Sequence, residues 1–328
     1  MTGVLASLGG RLAERWLAVL VFPGVLYVCC IAVAVRLGDA HATDPARLRD
    51  AVDAFAASPV SRSNGALLVG ALAAVALAVA AAGAAAALGG LLARVWTEDW
   101  GRAGAPLAAW RRRRWTAATA RYEDALREKA RLLLRRARPA AANGATPPNP
   151  ALPPDTVLPP DTVPLPDTVP LPDTAALAAA RDRIALTEPR LPTWMADRMR
   201  SADVRVRAAY ELDLATVWPC LWLTLPEEGR TPLAAAQAAF TTAARTAAWG
   251  ALYLALGVWW WPAALAGAAA AVLGWWRGRT AVEHLAQLVE RTVDLNATAL
   301  AEALGHPLDG PFTPADGRTV TRLLRKDP

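Results

Sequence analysis

The chain has 328 residues, of which 54% are hydrophobic and 20% charged, and its formal net charge is +6. The apolar residues are concentrated in three blocks between charged or proline-rich segments, which is typical of a membrane protein and argues against an ordinary soluble domain. The three cysteines form no CxxC pair and no cluster with histidine, so the sequence indicates neither a disulfide framework nor a zinc site.

The first apolar block covers residues 16–37, and its only charge is Arg36, next to its end. About 20 residues of helix cross a hydrocarbon core, so this block is long enough to do so. A cleavable signal peptide is the alternative, since Ala40, His41 and Ala42 resemble a cleavage site. The block is longer than the apolar region of a signal peptide, which favours a membrane anchor.

The second block covers residues 65–93 and contains no charged residue. Alanine, leucine, valine and glycine make up almost all of it, and small residues allow a second helix to approach closely. We expect a tilted spanning helix that packs on a partner helix through some of its glycines, which are Gly70, Gly83, Gly89 and Gly90.

The third block, residues 246–276, would measure about 46 Å as one helix, well beyond a hydrocarbon core of about 30 Å. Pro262 follows three tryptophans near its middle, where proline interrupts a helix. We predict a hairpin of two short spanning helices, with a re-entrant hairpin as the alternative. Because indole rings prefer the membrane interface, interface positions are predicted for Trp16, Trp249, Trp259, Trp260, Trp261, Trp275 and Trp276.

Arginine placement sets the predicted orientation. Thirteen lysines and arginines lie between Arg94 and Arg138, directly after the second block, and positive charge stays on the cytoplasmic side. The sequence therefore predicts four crossings with both termini in the cytoplasm. The scarcity of lysine is typical of a high-GC bacterium, and together with the apolar blocks it predicts a location in a bacterial plasma membrane. Roles in headgroup contact or topology are predicted for Arg111, Arg112, Arg113, Arg114, Arg277 and Arg279.

The polar segments between the blocks predict a helical cytoplasmic part. Residues 97–138 contain a basic amphipathic helix over 104–138, whose apolar stripe comprises Ala108, Trp115, Ala118, Tyr122, Leu126, Ala130 and Leu133. Residues 139–175 form a proline-rich linker in which a proline precedes and a threonine follows each of Asp155, Asp161, Asp167 and Asp173. A semi-rigid spacer is the expected role, and recruitment of a groove-binding module is the alternative.

Residues 176–244 are predicted to form a helical cytoplasmic module, and residues 278–328 an amphipathic helix and tail. The stripe of the last helix, over 279–304, comprises Val282, Leu285, Val289, Val293, Leu300 and Leu304. Asn296 falls within this stripe, where a polar residue can fix register or partner number. We expect the two amphipathic helices to pack together or to mediate oligomerisation, as in a coiled coil.

Residues 191–226 contain the most distinctive segment, with LPT, then YELD, then WPCLW before LP. This segment resembles a signature of uncharacterised, mainly actinobacterial, integral membrane proteins, which reads LPT, YGLD and WPRLW. Glu211 replaces the glycine and Cys220 the arginine of that signature. The resemblance implies a membrane protein with a cytoplasmic insertion and no known activity. Its principal matching positions are Pro192, Thr193, Tyr210, Asp213, Trp218, Pro219 and Trp222.

The motif search indicates no catalytic residues, no cofactor and no metal, since GxGxxG, GxxxxGK[ST], HExxH and GxSxG are all absent from the sequence. The hypothesis for function is a non-catalytic membrane scaffold or signalling adaptor that presents a helical module. An oligomeric channel or transporter subunit is the alternative. The expected partners are the bilayer with its anionic headgroups, and a protein or a second copy bound through the cytoplasmic helices; nucleic acid is not expected. The predicted fold class is all-α, with about four spanning helices.

Overall fold

The computed structural model describes residues 22–39, 42, 44–57, 63–142, 170–308 and 310–326. Over these residues the chain forms helices and no strand, which confirms the all-α prediction. In chain order the α-helices are α1 Phe22–Leu37, α2 Pro45–Ala57, α3 Asn64–Thr97, α4 Ala105–Ala142, α5 Thr174–Asp182, α6 Trp194–Tyr210, α7 Leu214–Thr224, α8 Glu227–Leu256, α9 Trp261–Ala303 and α10 Pro314–Arg325.

The chain divides into two compact units. The first unit comprises residues 1–98 and 202–328, and the second comprises residues 99–201. The division falls inside α6, so its first turns belong to the second unit and its last turns to the first.

Helices α8 and α9 form an antiparallel hairpin in the first unit. Its turn lies between Leu256 and Trp261, and Pro262 stands in the first turn of α9, where its missing N–H leaves no bond unmade. The two backbones touch at glycines. A Cβ on Gly250 would lie 2.5 Å from the Ala271 nitrogen, and one on Gly267 would lie 2.6 Å from the Leu254 nitrogen. Only glycine therefore permits this separation of the helices.

Helix α3 packs on α8, and α1 packs on α3. The buried row of α3 consists of small residues at helical spacing, namely Ala78, Ala82, Ala85 and Gly89. A Cβ on Gly89 would lie 3.2 Å from the Cα of Arg245 in α8, and Gly24 of α1 lies directly against the Ala78 carbonyl. Of the predicted glycine contacts on α3, Gly89 makes one, whereas Gly70, Gly83 and Gly90 have open space around them.

Most of the α3 surface is apolar and exposed. Leu68, Leu72 and Leu91 are each about 60% exposed. Within the described residues α3 alone is long and apolar enough to cross a membrane, while α1 and α7 are shorter apolar helices. Helices α8 and α9 do not reach that length of apolar sequence, because Arg245 and Arg277 limit it.

The α8–α9 turn lies at the same end of the first unit as the connection after α1. The indole N–H of Trp260 donates to the Ala42 carbonyl at 3.2 Å, and the backbone N–H of Trp261 donates to an Asp39 carboxylate oxygen at 2.9 Å. These bonds hold the two connections together.

The other end of the first unit has its own core, where α7 and α10 pack against the C-terminal half of α9. The fully buried side chains include Leu212, Val217, Leu221, Val293, Leu300 and Val320. Helix α9 continues without a break through the helix predicted over 279–304. Val293, Leu300 and Leu304 of its predicted stripe face this core, whereas Leu285 and Val289 pack in a second cluster with Leu225 and Leu233. Asn296 bonds within its own helix, donating to the Thr292 carbonyl at 2.9 Å.

In the second unit α5 packs on α4. Helix α4 continues to Ala142, and α5 begins at Thr174 with Asp173 as its N-cap, accepting from the Ala176 N–H at 2.9 Å. The predicted linker over 139–175 is therefore helical at both ends. Its central part, 143–169, with the first three aspartates of the repeat, lies outside the described residues.

The predicted apolar stripe of α4 holds in its N-terminal half only. Ala108 is buried, and the indole N–H of Trp115 donates to the Ala185 carbonyl at 2.9 Å. Leu126 and Leu133 are exposed, however, and Leu132 is buried instead. The buried face of α4 near its C-terminal end therefore differs from the face that the sequence pattern predicts.

A matched pair of glycine substitutions tests the packing of the hairpin. Because its Cβ would meet the α9 backbone, Gly250→Ala should lower the free energy of unfolding by about 1–3 kcal/mol. Gly83→Ala has open space and should raise it by up to about 1 kcal/mol, since alanine is the better helix former. Thermal unfolding of the detergent-purified protein measures both, and equal effects would contradict the packing described.

Candidate functional site

Pro192 and Thr193 of the signature lie in a loop that surrounds a buried arginine of the second unit. The guanidinium of Arg111 donates to the carbonyls of Leu191 and Thr193, both at 2.7 Å, and to the carboxylate of Asp197. It also donates to the Ile184 carbonyl at 3.2 Å. Arg111 and Asp197 are both more than 90% buried. One side chain of α4 thus organises the loop before α6.

Asp197 joins the same loop from its other side. Its second oxygen accepts from the backbone N–H groups of Arg190 and Leu191, each at 3.0 Å. The Thr193 hydroxyl caps α6 by accepting from the Ala196 N–H at 3.1 Å. A buried ion pair is stable only when its remaining donors and acceptors are satisfied, and this loop supplies them. The LPT segment therefore has a structural role that its sequence alone does not indicate.

The four consecutive arginines of α4 do not share one environment. Arg111 is buried in the ion pair, and this is a correction to its predicted role in headgroup contact, because its guanidinium faces protein. Arg112, Arg113 and Arg114 are exposed, as that role requires. The Arg114 guanidinium lies over the ring of Trp110, 4.8 Å from its centroid, and Trp110 is itself about half exposed.

A second charged cluster lies in the first unit around Asp213, between α6 and α7. Its carboxylate pairs with Arg325 of α10 and accepts from Arg207 at 3.1 Å and from the Thr216 hydroxyl at 2.9 Å. The backbone N–H of Asp213 donates to the Thr321 hydroxyl at 3.3 Å. This Asp213 cluster attaches the C-terminal helix to the turn that carries the YELD sequence.

The surroundings of Asp213 stabilise its charged form. The hydrogen bond from Arg325 is the main cause that lowers its carboxyl pKa, with further contributions from Thr216 and Arg207. At the start of α10, Asp316 bonds the backbone and side chain of Thr313 and the ring of His306, which lowers its pKa to about 2. Both carboxylates that fix α10 are thus held in the ionised state.

The other signature residues lie in the first unit, in the same core. The Tyr210 hydroxyl donates to Asp294 of α9 at 2.9 Å, and this bond raises the tyrosine pKa. Trp218 and Trp222 lie one turn apart on α7, with ring centroids 6.2 Å apart, and are partly buried against hydrophobic residues. Pro219 is on the exposed side of α7. Helix α7 therefore packs against other helices of the first unit.

The tryptophans predicted for the membrane interface differ in exposure. Trp259, Trp261, Trp275 and Trp276 are between 41% and 66% exposed. Trp249 and Trp260 are partly buried, and the ring of Trp249 lies 5.9 Å from that of Tyr27. Trp16 lies outside the described residues. The exposed rings form two groups: Trp259 and Trp261 are at the α8–α9 turn, and Trp275 and Trp276 are further along α9, before Arg277.

Arg277 and Arg279 follow the second pair of hairpin tryptophans. Arg277 is exposed, and the guanidinium of Arg279 lies 5.7 Å from the ring centroid of Trp275. Both arginines thus lie within α9, directly after the apolar part of the helix that begins at the turn.

The described part of the chain contains no group of three or more histidine, cysteine, aspartate or glutamate side chains able to hold a metal ion. Comparisons with protein-family models, with curated proteins and with solved structures found no match. The functional argument therefore rests on the contacts and exposures of this chain alone.

The ion pair of the second unit can be tested against a neighbouring arginine. Arg111→Ala leaves the buried Asp197 carboxylate unpaired and should lower the free energy of unfolding by about 3–5 kcal/mol. Arg113→Ala removes an exposed charge and should change it by less than about 0.5 kcal/mol. Denaturant unfolding followed by circular dichroism measures both variants. Similar values for the two would show that Arg111 is not buried in an ion pair.

The Asp213 cluster predicts a stability that depends on pH. The folded pKa of Asp213 is below its unfolded value, so its stabilising effect is complete above an unfolded pKa of about 3.9 and is lost as pH falls through the folded pKa. Asp213→Asn should therefore be less stable than the parent protein at pH 6, by an amount that shrinks between pH 5 and pH 2.

Thermal unfolding across this range measures that difference, with Asp50→Asn, an exposed aspartate of α2, as the control. If the difference in stability between Asp213→Asn and the parent stays constant down to pH 2, the charge of Asp213 does not stabilise the fold.

Proposed function

We propose that this chain is a multi-pass membrane protein in which α1, α3, α8 and α9 cross the bilayer. Exposed apolar side chains on all four helices support this, and α3 carries more of them than any of the other three. Such a surface is costly in water and is stable in lipid. The glycine contacts between these helices are also of the kind that membrane helices use, because lipid provides no hydrophobic drive for association.

The ends of the four helices support one orientation. The connection after α1 is bonded to the α8–α9 turn, which carries exposed tryptophans and no arginine. Arg94 lies near the end of α3, and Arg245 and Arg277 bound the apolar parts of α8 and α9 on the side away from that turn. Positive charge marks the cytoplasmic side, so both termini and residues 97–244 are proposed to be cytoplasmic.

Within the membrane we propose the role of a non-catalytic scaffold or signalling adaptor. The observation that carries this proposal is how two carboxylates of the signature segment are bonded. Asp197 accepts from Arg111 and from backbone N–H groups, and Asp213 pairs with Arg207 and Arg325. Both carboxylates thus bond other groups of the protein and hold a loop and a helix end in place. Polar groups that are hydrogen-bonded within the protein hold its surface in one shape, which suits a protein that binds a partner.

The proposed topology makes a prediction for cysteine labelling. In a chain with Cys29, Cys30 and Cys220 replaced by alanine, a cysteine at position 54 should react with an impermeant maleimide on intact cells. Cysteines at positions 125 and 315 should react only after permeabilisation, because they are on the cytoplasmic side. All three native positions, Ala54, Ala125 and Ala315, are outside the buried cores. Labelling of 125 or 315 from outside would refute the topology.

Reconstitution separates the scaffold from a channel or transporter subunit. Proteoliposomes that contain the purified protein alone should show no flux of protons or potassium above that of protein-free vesicles. Crosslinking of native membranes followed by mass spectrometry should instead connect α4 or α9 to a partner protein or to a second copy. Flux that depends on the purified protein would replace the scaffold with the alternative.

A further inference from the structure

An open apolar groove runs along the outer face of α9, in the part of the helix that belongs to the proposed membrane hairpin. Its volume is about 550 Å³, within the range of small-molecule sites, and it is lined by Ala268, Ala269, Val272, Leu273 and Trp276. The two alanines leave a depression between the bulkier Leu265 and Trp276, which are both more than 60% exposed. No polar side chain lines this groove, so it suits a hydrocarbon.

Positive charge lies at one end of the groove. Arg277 follows Leu273 by one helical turn, and it is exposed. Between Glu228 and Glu283 the sequence contains four arginines and no acidic residue, so this stretch of the chain carries a net positive charge. Trp276, which lines the groove, stands next to Arg277 and is of the residue type that marks the membrane interface.

We propose that the groove binds one acyl chain of an anionic phospholipid whose phosphate is bound by Arg277. The inference rests on the proposed function, in which α9 crosses the bilayer, and it adds a ligand and a site to it. The chain fills the depression over Ala268 and Ala269, and the phosphate lies where the hydrocarbon core ends. Phosphate is the anion that arginine binds best through paired hydrogen bonds.

The charge of Arg277 makes a second copy of the protein a poorer occupant of the groove than an anionic phospholipid. Two copies with the same orientation in the membrane would meet at this face with their Arg277 side chains at the same depth. Like charges held at the same depth repel each other, and between Glu228 and Glu283 the sequence contains no acidic residue. An anionic lipid removes that repulsion.

Native mass spectrometry of the full-length, delipidated protein tests this site. The protein is titrated with palmitoyl-oleoyl phosphatidylglycerol and, separately, with the phosphatidylcholine that has the same chains. The parent protein should retain one phosphatidylglycerol with clear preference. Ala269→Phe fills the groove and excludes the acyl chain, and Arg277→Gln removes the phosphate contact. Each should weaken that binding about tenfold or more, which for Arg277→Gln is the effect expected for loss of a charge-assisted hydrogen bond.

Two matched variants serve as controls. Ala76→Phe places the same bulk on an exposed face of α3, and Arg94→Gln removes an exposed arginine near the end of that helix. Both should bind phosphatidylglycerol as the parent does. Thermal unfolding of every variant shows whether the fold is intact, and a variant that unfolds is replaced by Ala268→Phe or Arg277→Met.

Equal lipid binding by all variants, or equal binding of the two lipids, would overturn the site. Loss of a dimer in Ala269→Phe with unchanged lipid binding would assign the groove to a second copy and would overturn it as well. Extraction of membranes with alkaline carbonate keeps the two proposals apart. A chain that stays in the pellet but lacks the site refutes this inference alone, whereas a chain released without detergent refutes the proposed function.

Discussion

The close contact of α8 with α9 is the constraint on which the first unit depends. At Gly250, Gly267 and Gly274 the two backbones are so near that a single methyl group would not fit. Helix α3 packs on α8, α1 packs on α3, and the core with α7 and α10 is built on the far half of α9. A wider hairpin would shift every one of these surfaces, because packed interiors transmit a displacement.

Much of this fold could be predicted from sequence, because its signals are local. Proline after three tryptophans placed the turn before α9, and the apolar stripe of residues 279–304 identified the buried face of that helix. The sequence predicted two helices where α9 is one, because Arg277 and Arg279 stand between an apolar stretch and an amphipathic stretch. Helix α10 was missed as a separate element, although Thr313, Pro314 and Asp316 form a recognisable capping box.

The ion pair of Arg111 with Asp197 shows why the candidate site was harder to predict. In the sequence Arg111 is one of four identical residues, and charge patterning treats them alike. At 100° per residue it nevertheless lies on the same stripe as Ala108 and Trp115, which the sequence marked as the packed face of α4. Its partner Asp197 is 86 residues further along the chain. Periodicity locates a buried face, but the pairing of two charges across such a distance requires the tertiary structure.

The YELD turn contains a residue with an unusual backbone conformation. Glu211 has φ of +52°, in the left-handed region where a residue with a side chain costs about 1–2 kcal/mol relative to glycine. The resembled signature has glycine at that position, and here the 2.6 Å ion pair of Glu211 with Arg318 of α10 offsets part of the cost. On the same helix, Gly317 lies directly against the Tyr210 carbonyl, where no Cβ would fit. Gly317, Arg318 and Arg325 of α10 together therefore fix the shape of this turn. The YELD residues, which in the sequence belong to the resembled signature, act in the structure as the attachment site of α10.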